Sequence, residues 1–211
     1  MSEKGKELLE GAYALSTPED NVEYYKHFAN HYDDVFARDM GFILPQAVTA
    51  QFASLATSED TPIADLGCGT GIVATLLPDT CVVDGLDISP DMLSVAAKKN
   101  RYRDLIQIDL TNPGPNMPMG YGAVLSSGTF THGHLGPSAL ETAIELGRGG
   151  CLFVLSINKA HYAAHGFADL ITEMTMSRTI ADVSLPEVPI YTNQAHDHSG
   201  DMAIICSFRK C

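Results

Sequence analysis

The segment Ser126–Pro137 (SSGTFTHGHLGP) carries two histidines, His132 and His134, with a single glycine between them. Histidine transfers protons near neutral pH and is also a common metal ligand. A zinc site needs three or four ligands, and the sequence does not show whether any other histidine of the chain lies close to this pair. We therefore predict no metal site. A catalytic role, a substrate-positioning role and a purely structural role in a polar turn all stay open.

A second set of candidate residues consists of three aspartates, Asp65, Asp87 and Asp109, which recur at intervals of 22 residues. Each lies at or near the end of a short apolar run, and such runs alternate with amphipathic stretches, a pattern typical of parallel β-α-β units. Open sheets of this kind bind ligands at the carboxyl ends of their strands. A carboxylate there can accept hydrogen bonds from both hydroxyls of a ribose or from the amine of an adenine.

A glycine-rich turn, Gly67-Cys68-Gly69-Thr70-Gly71, follows the first of these strands. Glycines in such a turn allow positive φ angles and let a ligand approach the backbone closely. The dinucleotide fingerprint G-x-G-x-x-G would place its third glycine where Ile72 stands, and a phosphate P-loop would require a Gly-Lys-Ser/Thr sequence that does not follow. The turn and its preceding acid therefore fit a different ligand.

Three motifs taken together resemble a known enzyme class: ADLGCGTG (64–71), DGLDISPDML (84–93) and IQIDL (106–110). They are similar to the first three motifs of the class I S-adenosylmethionine-dependent methyltransferases, and the resemblance extends over about residues 20–211. It implies an α/β fold with a Rossmann-like, seven-stranded, mostly parallel sheet, helices on both faces and a last strand that is antiparallel. It also implies S-adenosylmethionine as the cofactor and S-adenosylhomocysteine as its product.

The resemblance also implies binding roles for particular residues. At the methionine end of the cofactor it places Asp65, Gly67, Gly69, Gly71, Ser126 and Ser127. It assigns the ribose to Asp87, and the adenine to Ile88, Met92, Asp109 and Leu110. Because the cofactor contains a sulfonium and an ammonium but no pyrophosphate, acidic surroundings suit its cationic half.

The stretch GTFTHGHLGP (128–137) is similar to the corresponding segment of methyltransferases of the Williams–Beuren syndrome region group. The spacing of Tyr25, Tyr32-Asp33 and Pro45 is similar to the N-terminal part of the same group. This resemblance implies that Tyr25 and Tyr32 close over the cofactor or the acceptor, and that the acceptor is a small molecule. His132 and His134 are then the candidate catalytic residues.

Two other functions stay open on the sequence. The motifs do not guarantee an acceptor site, so the protein could bind S-adenosylmethionine without transferring its methyl group. A protein or RNA acceptor is the third possibility. The length of 211 residues, the acidic composition and the lack of an appended binding domain count against a protein or RNA acceptor.

The hydrophobic pattern predicts the elements that must position these residues. Strands are predicted at Ile63–Leu66, Cys81–Asp87, Leu105–Ile108, Ala123–Ser126, Gly150–Ile157 and Met202–Phe208, with one more ending at Ile190 and Tyr191. Helices are predicted at Gly71–Leu77, Pro90–Lys99, Pro137–Leu146 and His161–Met176. Residues 18–56 are predicted to form an aromatic-rich helical cap on a core of residues 61–211, giving a single domain (18–211) after a flexible or helical segment (1–17).

The composition excludes several classes of partner. A net charge of −13 opposes binding to phosphate backbones and anionic membranes, and the densest basic run, Lys98–Arg103, is interpreted as a solvated helix end. The longest apolar run, Cys151–Ile157, is far shorter than the roughly 20 residues of a membrane span. Five cysteines without a C-x-x-C pair favour a reduced protein. We therefore expect a cytoplasmic monomer or homodimer that binds neither nucleic acid nor membrane.

Overall fold

The computed structural model describes residues 11, 17–29, 32–33, 40–131, 134–192 and 197–211. The strands of the described part are β1 (Ile63–Leu66), β2 (Val83–Asp87), β3 (Leu105–Gln107), β4 (Tyr121–Phe130), β5 (Gly147–Asn158), β6 (Ile180–Ser184), β7 (Glu187–Pro189) and β8 (Met202–Lys210). Its longer helices are α1 (Pro18–Phe28), α2 (Leu44–Leu55), α3 (Ile72–Leu76), α4 (Pro90–Ala97), α5 (Pro137–Ile144), α6 (Lys159–Ala164) and α7 (Phe167–Met176). No helix among these residues is long and apolar enough to span a membrane.

The strands form one sheet in the order β3-β2-β1-β4-β5-β8-β6, with the short β7 paired to β8. Strands β1 to β5 are parallel, whereas β8 runs antiparallel to β5, β6 and β7. The predicted Rossmann-like sheet is therefore confirmed, with an antiparallel last strand and one short strand more than expected. The strand order changes direction between β1 and β4, which is where open α/β sheets bind ligands.

Helices cover both faces of the sheet because the central strands are apolar on both sides. In β5, Phe153 and Leu155 belong to one buried cluster, which includes Leu140 of α5 and Phe167 of α7. The alternate β5 residues Leu152 and Val154 belong to a second cluster, which includes residues of α2 and α3. Successive side chains of a strand point to opposite faces, so the two clusters form the two layers of the core.

Two predicted elements differ in the structure. The helix predicted at His161–Met176 is two helices, because Gly166 adopts a left-handed conformation (φ 79°) between α6 and α7. The Asn158 side chain also starts α6 earlier by accepting hydrogen bonds from the amides of Ala160 and His161. The strand predicted to end at Ile190 and Tyr191 is present as β7 but ends earlier, at Pro189, and Tyr191 forms an isolated bridge.

Candidate active site

A cavity opens at the carboxyl ends of β1, β2 and β4 and is covered in part by the N-terminal residues. Among the predicted site residues, those that line it are Tyr25, Tyr32, Gly67, Gly69, Asp87, Ile88, Met92, Asp109, Leu110, Ser127 and His134. Asp65, Gly71 and Ser126 lie behind this lining, and His132 lies outside the described residues. The sequence motifs therefore converge on one concave site.

The glycine turn after β1 brings backbone rather than side chains to the cavity. Gly67 has a positive φ of 62°, and a Cβ atom there would lie 2.2 Å from Oγ1 of Thr129 on β4. Only glycine allows β4 and the turn to approach this closely. The next glycine of the motif, Gly69, donates its amide to Oδ2 of Asp87 at 2.8 Å, which links the turn to the tip of β2.

Asp87 is fixed by backbone donors on both of its oxygens. Oδ2 accepts the Gly69 amide, and Oδ1 accepts the Ser89 amide at 2.8 Å. Ser89 in turn caps α4, where Pro90 is the first helical residue, as the sequence predicts. Burial raises the pKa of Asp87, whereas the backbone amides of Ser89, Gly69 and Ile88 lower it. Each carboxylate oxygen has more than one acceptor site, so this carboxylate can still accept a pair of hydroxyl groups.

Asp109 begins the loop after β3 and has a different arrangement. Its Oδ1 accepts two hydrogen bonds from Thr111, from the amide at 2.8 Å and from the hydroxyl at 2.7 Å. These bonds fix the side chain and leave Oδ2 for a ligand donor. The nearby cavity wall is apolar: Met92 and Leu110 are buried, and Ile88 lines the same space. An exocyclic amine on a flat ring suits this combination.

Two buried polar atoms near the glycine turn lack partners in the part of the chain that the structure describes: Oδ1 of Asp65 and Oγ of Ser127. The other oxygen of Asp65, Oδ2, accepts the hydroxyl of Tyr102 at 2.6 Å. Burial raises the pKa of Asp65 to about 7, and the Tyr102 hydrogen bond opposes that rise. Unsatisfied buried polar atoms are costly, so both atoms fit a ligand that supplies the missing partners, such as the amino-acid end of S-adenosylmethionine.

Ser126 differs from its neighbour Ser127. It is fully buried, and its hydroxyl donates to the carbonyl oxygen of Leu66 at 2.8 Å. The hydrogen bond joins β4 to β1 and occupies the hydroxyl within the sheet. Ser126 therefore supports the site from behind, and Ser127 is the serine of the pair that faces the cavity.

The sequence interpretation of Lys98–Arg103 as a solvated helix end is wrong for several of its members. Arg101 donates to the carbonyl oxygens of Ala74 and Leu77, and Arg103 binds the carboxylate of Asp84. Tyr102 reaches Asp65 beside the cavity, a contact that sequence reasoning missed. The only available signal was an aromatic residue inside a charged run.

The N-terminal cap contributes aromatic rings to the cavity. The rings of Tyr25 and Tyr32 lie 6.1 Å apart between centroids and meet edge to face. The next residue, Asp33, accepts a hydrogen bond from the Thr70 hydroxyl and pairs with Nζ of Lys99 at 2.6 Å. Asp33 thus connects the cap to the glycine turn.

His134 lies at the edge of the cavity beside the cap, with its ring centroid 6.1 Å from that of Tyr25. Burial, with a smaller contribution from His161, lowers the pKa of His134 to about 4, so the ring is neutral at neutral pH. Nε2 of His161 donates to the carbonyl oxygen of Leu135 at 3.0 Å and so fixes the adjacent backbone to α6. Among the described residues, no group of three His, Cys, Asp or Glu side chains could hold a metal ion.

The comparisons with known proteins agree with this geometry. Residues 63–150, from β1 into β5, match the family model described as a methyltransferase domain. The chain carries a class I S-adenosylmethionine-dependent methyltransferase domain. S-adenosylmethionine is the cofactor of this domain. No curated protein matches the sequence.

Solved structures show the same fold at low sequence identity. The [4+2]-cyclase SpnF is 12% identical with a TM-score of 0.68, over 93% of this chain and 97% of that chain. The second structure is the phosphoethanolamine N-methyltransferase 2 of Haemonchus contortus in complex with phosphomonomethylethanolamine and S-adenosylhomocysteine. It is 12% identical with a TM-score of 0.63, and the match covers 92% of this chain and 59% of that chain. The magnesium protoporphyrin IX methyltransferase of Synechocystis PCC 6803, with bound S-adenosylmethionine, is 15% identical with a TM-score of 0.57. The match covers 99% of this chain and 92% of that chain. At these identities the likeness shows the fold alone.

Proposed function

We propose that this methyltransferase transfers the methyl group of S-adenosylmethionine to a small-molecule acceptor. The observation that carries the proposal is the composition of the cavity beside the cap. There the described lining includes Tyr25, Phe42 and His134 but neither lysine nor arginine. A nucleic-acid acceptor would require cations for its phosphates, and the chain has a net charge of −13. A partly enclosed, aromatic site suits a small organic molecule.

In this proposal the cofactor lies along the tips of β1, β2 and β3. Asp87 accepts the ribose hydroxyls, and Oδ2 of Asp109 accepts the adenine amine. The ring packs against Ile88, Met92 and Leu110, which supply its apolar wall. The Gly67–Gly71 turn and Ser127 meet the amino-acid end, and Oδ1 of Asp65, directly behind the turn, is the acceptor for its ammonium group. The assignment is supported by Oδ1 of Asp65 and Oγ of Ser127, which have no partner among the described residues.

The chemistry requires orientation more than proton transfer. S-adenosylmethionine supplies a methyl group that is already activated by a sulfonium. The protein must then hold the acceptor in line with that methyl group and exclude water, which lowers the entropic part of the barrier. Tyr25 and Tyr32 supply the cover for this step. A general base is needed only where the acceptor starts protonated.

His134 is the residue that we assign to the acceptor, and its pKa limits what it can do. With a pKa of about 4 it is neutral at pH 7 and is a weak base. His134 therefore accepts a hydrogen bond from the molecule to be methylated and orients that molecule. It takes a full proton only as that molecule loses one. His132 belongs to the same sequence motif and lies outside the described residues.

The experiment that tests the proposed function follows a labelled methyl group from S-adenosylmethionine into separate small-molecule, RNA and protein fractions. We expect label in the small-molecule fraction, with little dependence on salt. Asp87→Ala should reduce S-adenosylhomocysteine affinity at least tenfold by calorimetry, because the ribose loses its acceptor. His134→Gln should lower kcat on the identified acceptor and leave that affinity unchanged.

The control for both variants is Asp79→Ala, because the Asp79 side chain is 96% exposed and lies away from the cavity lining. Label in RNA or protein would overturn the small-molecule acceptor. Tight binding of S-adenosylhomocysteine without transfer to any fraction would indicate a binding protein that is not a transferase. Unchanged affinity in Asp87→Ala would remove the ribose assignment.

A further inference from the structure

Tyr102 lies between α4 and β3, in a run of charged residues, yet its side chain is turned inward. Its hydroxyl donates a short hydrogen bond, 2.6 Å, to Oδ2 of Asp65 on β1. Burial and the neighbouring Asp65 carboxylate raise the pKa of the Tyr102 hydroxyl, so it keeps its proton and stays a donor. The two residues are 37 positions apart in the sequence.

The ring of Tyr102 occupies a slot formed by two glycines. A Cβ atom at Gly71, the last glycine of the turn, would lie 2.9 Å from ring atom Cε2. At Gly85 in β2, a Cβ atom would lie 2.7 Å from Cδ2 of Leu105, 3.0 Å from ring atom Cε1 and 3.0 Å from Sγ of Cys68. Larger residues are therefore excluded at Gly71 by the Tyr102 ring, and at Gly85 by Leu105 together with that ring and Cys68. The slot fixes the direction in which the hydroxyl points.

The hydrogen bond has a consequence for the Asp65 carboxylate. With Oδ2 held by Tyr102, the carboxylate cannot rotate freely, and Oδ1 remains buried without a partner in the described part of the chain. We propose that Tyr102 is a positioning residue for Asp65, holding its carboxylate so that Oδ1 accepts the ammonium group at the amino-acid end of S-adenosylmethionine. The inference rests on the proposed placement of the cofactor.

Electrostatics supports the same role. Burial raises the pKa of Asp65 to about 7, the Tyr102 hydrogen bond lowers it, the Asp87 carboxylate on β2 raises it and Lys99 after α4 lowers it. In the described part of the chain, Tyr102 and Cys68 are further titratable groups close to this carboxylate. Loss of the hydroxyl would leave Asp65 protonated over more of the neutral range and would remove its attraction for a cation.

The test uses Tyr102→Phe, which keeps the ring in its slot and removes only the hydroxyl. Calorimetry at neutral pH compares S-adenosylhomocysteine with 5′-methylthioadenosine, which has the same nucleoside but lacks the amino-acid end. We expect S-adenosylhomocysteine affinity to fall about tenfold, the size of one charge-assisted hydrogen bond, with 5′-methylthioadenosine affinity unchanged. Between about pH 7 and about pH 8 the defect should shrink, because more of Asp65 becomes ionised in the variant while the ligand still carries its ammonium proton.

The matched control is Tyr121→Phe, because the Tyr121 hydroxyl makes the corresponding bond to Oδ2 of Asp84 at 2.9 Å, outside the cavity lining. It should alter neither affinity. An equal loss for both ligands in Tyr102→Phe, or no loss for either, would overturn the proposal. Failure of the wild type to bind S-adenosylhomocysteine would instead overturn the placement of the cofactor. Thermal melting of both variants verifies that the compared proteins are folded.

Discussion

Two aspartates on neighbouring strands are buried to the same degree but differ in what surrounds their carboxylates. Asp65 on β1 and Asp84 on β2 are 0% and 2% exposed, and each accepts a tyrosine hydroxyl. Asp84 also binds Nε and Nη2 of Arg103 at 2.9 and 2.5 Å, so both of its oxygens have partners. Among the described residues, no lysine or arginine is hydrogen-bonded to Asp65, and its Oδ1 has no partner.

The difference separates a structural carboxylate from one that is suited to a ligand. A buried charge is stable only when it is paired and hydrogen-bonded. Arg103 supplies that charge for Asp84 from within the chain, which fixes the loop before β3 to the sheet. Asp65 accepts the Tyr102 hydroxyl, and burial raises its pKa to about 7, so a bound cation would favour its charged form.

The largest effect that would test this comparison is expected from Asp84→Ala. The substitution leaves the buried Tyr121 hydroxyl and the Arg103 guanidinium without their acceptor. Because the Arg103 side chain is 50% exposed and can return to water, we expect the free energy of unfolding to fall by about 2–3 kcal/mol. Urea unfolding measures this loss. Calorimetry on the folded variant should give unchanged S-adenosylhomocysteine affinity, and a clear loss of affinity would break the distinction.

A smaller effect on the free energy of unfolding, one that depends on pH, is expected from Asp65→Asn. Burial raises the pKa of Asp65 from 3.8 to about 7, so between these pH values the folded protein binds more protons than the unfolded chain. The contribution of Asp65 to the unfolding free energy therefore falls as pH rises towards about 7, and is constant above it. The asparagine variant lacks this contribution.

The measurement for Asp65→Asn is urea unfolding of both proteins from about pH 5 to about pH 8. The unfolding free energy of the wild type minus that of the variant should decrease up to about pH 7 and then level off. A difference that is flat across the range would mean that Asp65 has an ordinary pKa. The same variant should bind S-adenosylhomocysteine at least tenfold more weakly at about pH 8, where the wild-type carboxylate is charged.

The contacts of these two aspartates also show what the sequence could predict. Asp65, Asp87 and Asp109 were predicted because strand ends and glycine turns leave local patterns. The Tyr102 and Arg103 contacts were not, because each depends on where a side chain packs across the sheet. The charged run Lys98–Arg103 instead indicated side chains that point into solvent. Ser126 and Ser127 could not be distinguished from sequence either, because the inward direction of Ser126 follows from its bond to Leu66.

The fold was predictable to a similar extent and for similar reasons. Strands with continuous apolar runs, such as β1 and β5, were predicted because they are buried on both faces. Strand β6 was not, since it lies at the sheet edge and its five residues include only one that is fully buried, Ile180. The break at Gly166 was missed because the amphipathic pattern continues across it.

The smallest effect is expected from Asp33→Asn, another carboxylate with partners on both oxygens. Asp33 accepts the Thr70 hydroxyl and pairs with Lys99, but its side chain is 39% exposed. Exposed ion pairs contribute about 0.2–1 kcal/mol, so we expect two- to threefold weaker binding of S-adenosylhomocysteine and an almost unchanged unfolding free energy. Because salt screens exposed pairs, calorimetry should show the difference from wild type shrinking in about 0.5 M salt. A loss as large as that in Tyr102→Phe would mean that the connection between cap and glycine turn, and not the buried carboxylate of Asp65, dominates recognition of the amino-acid end.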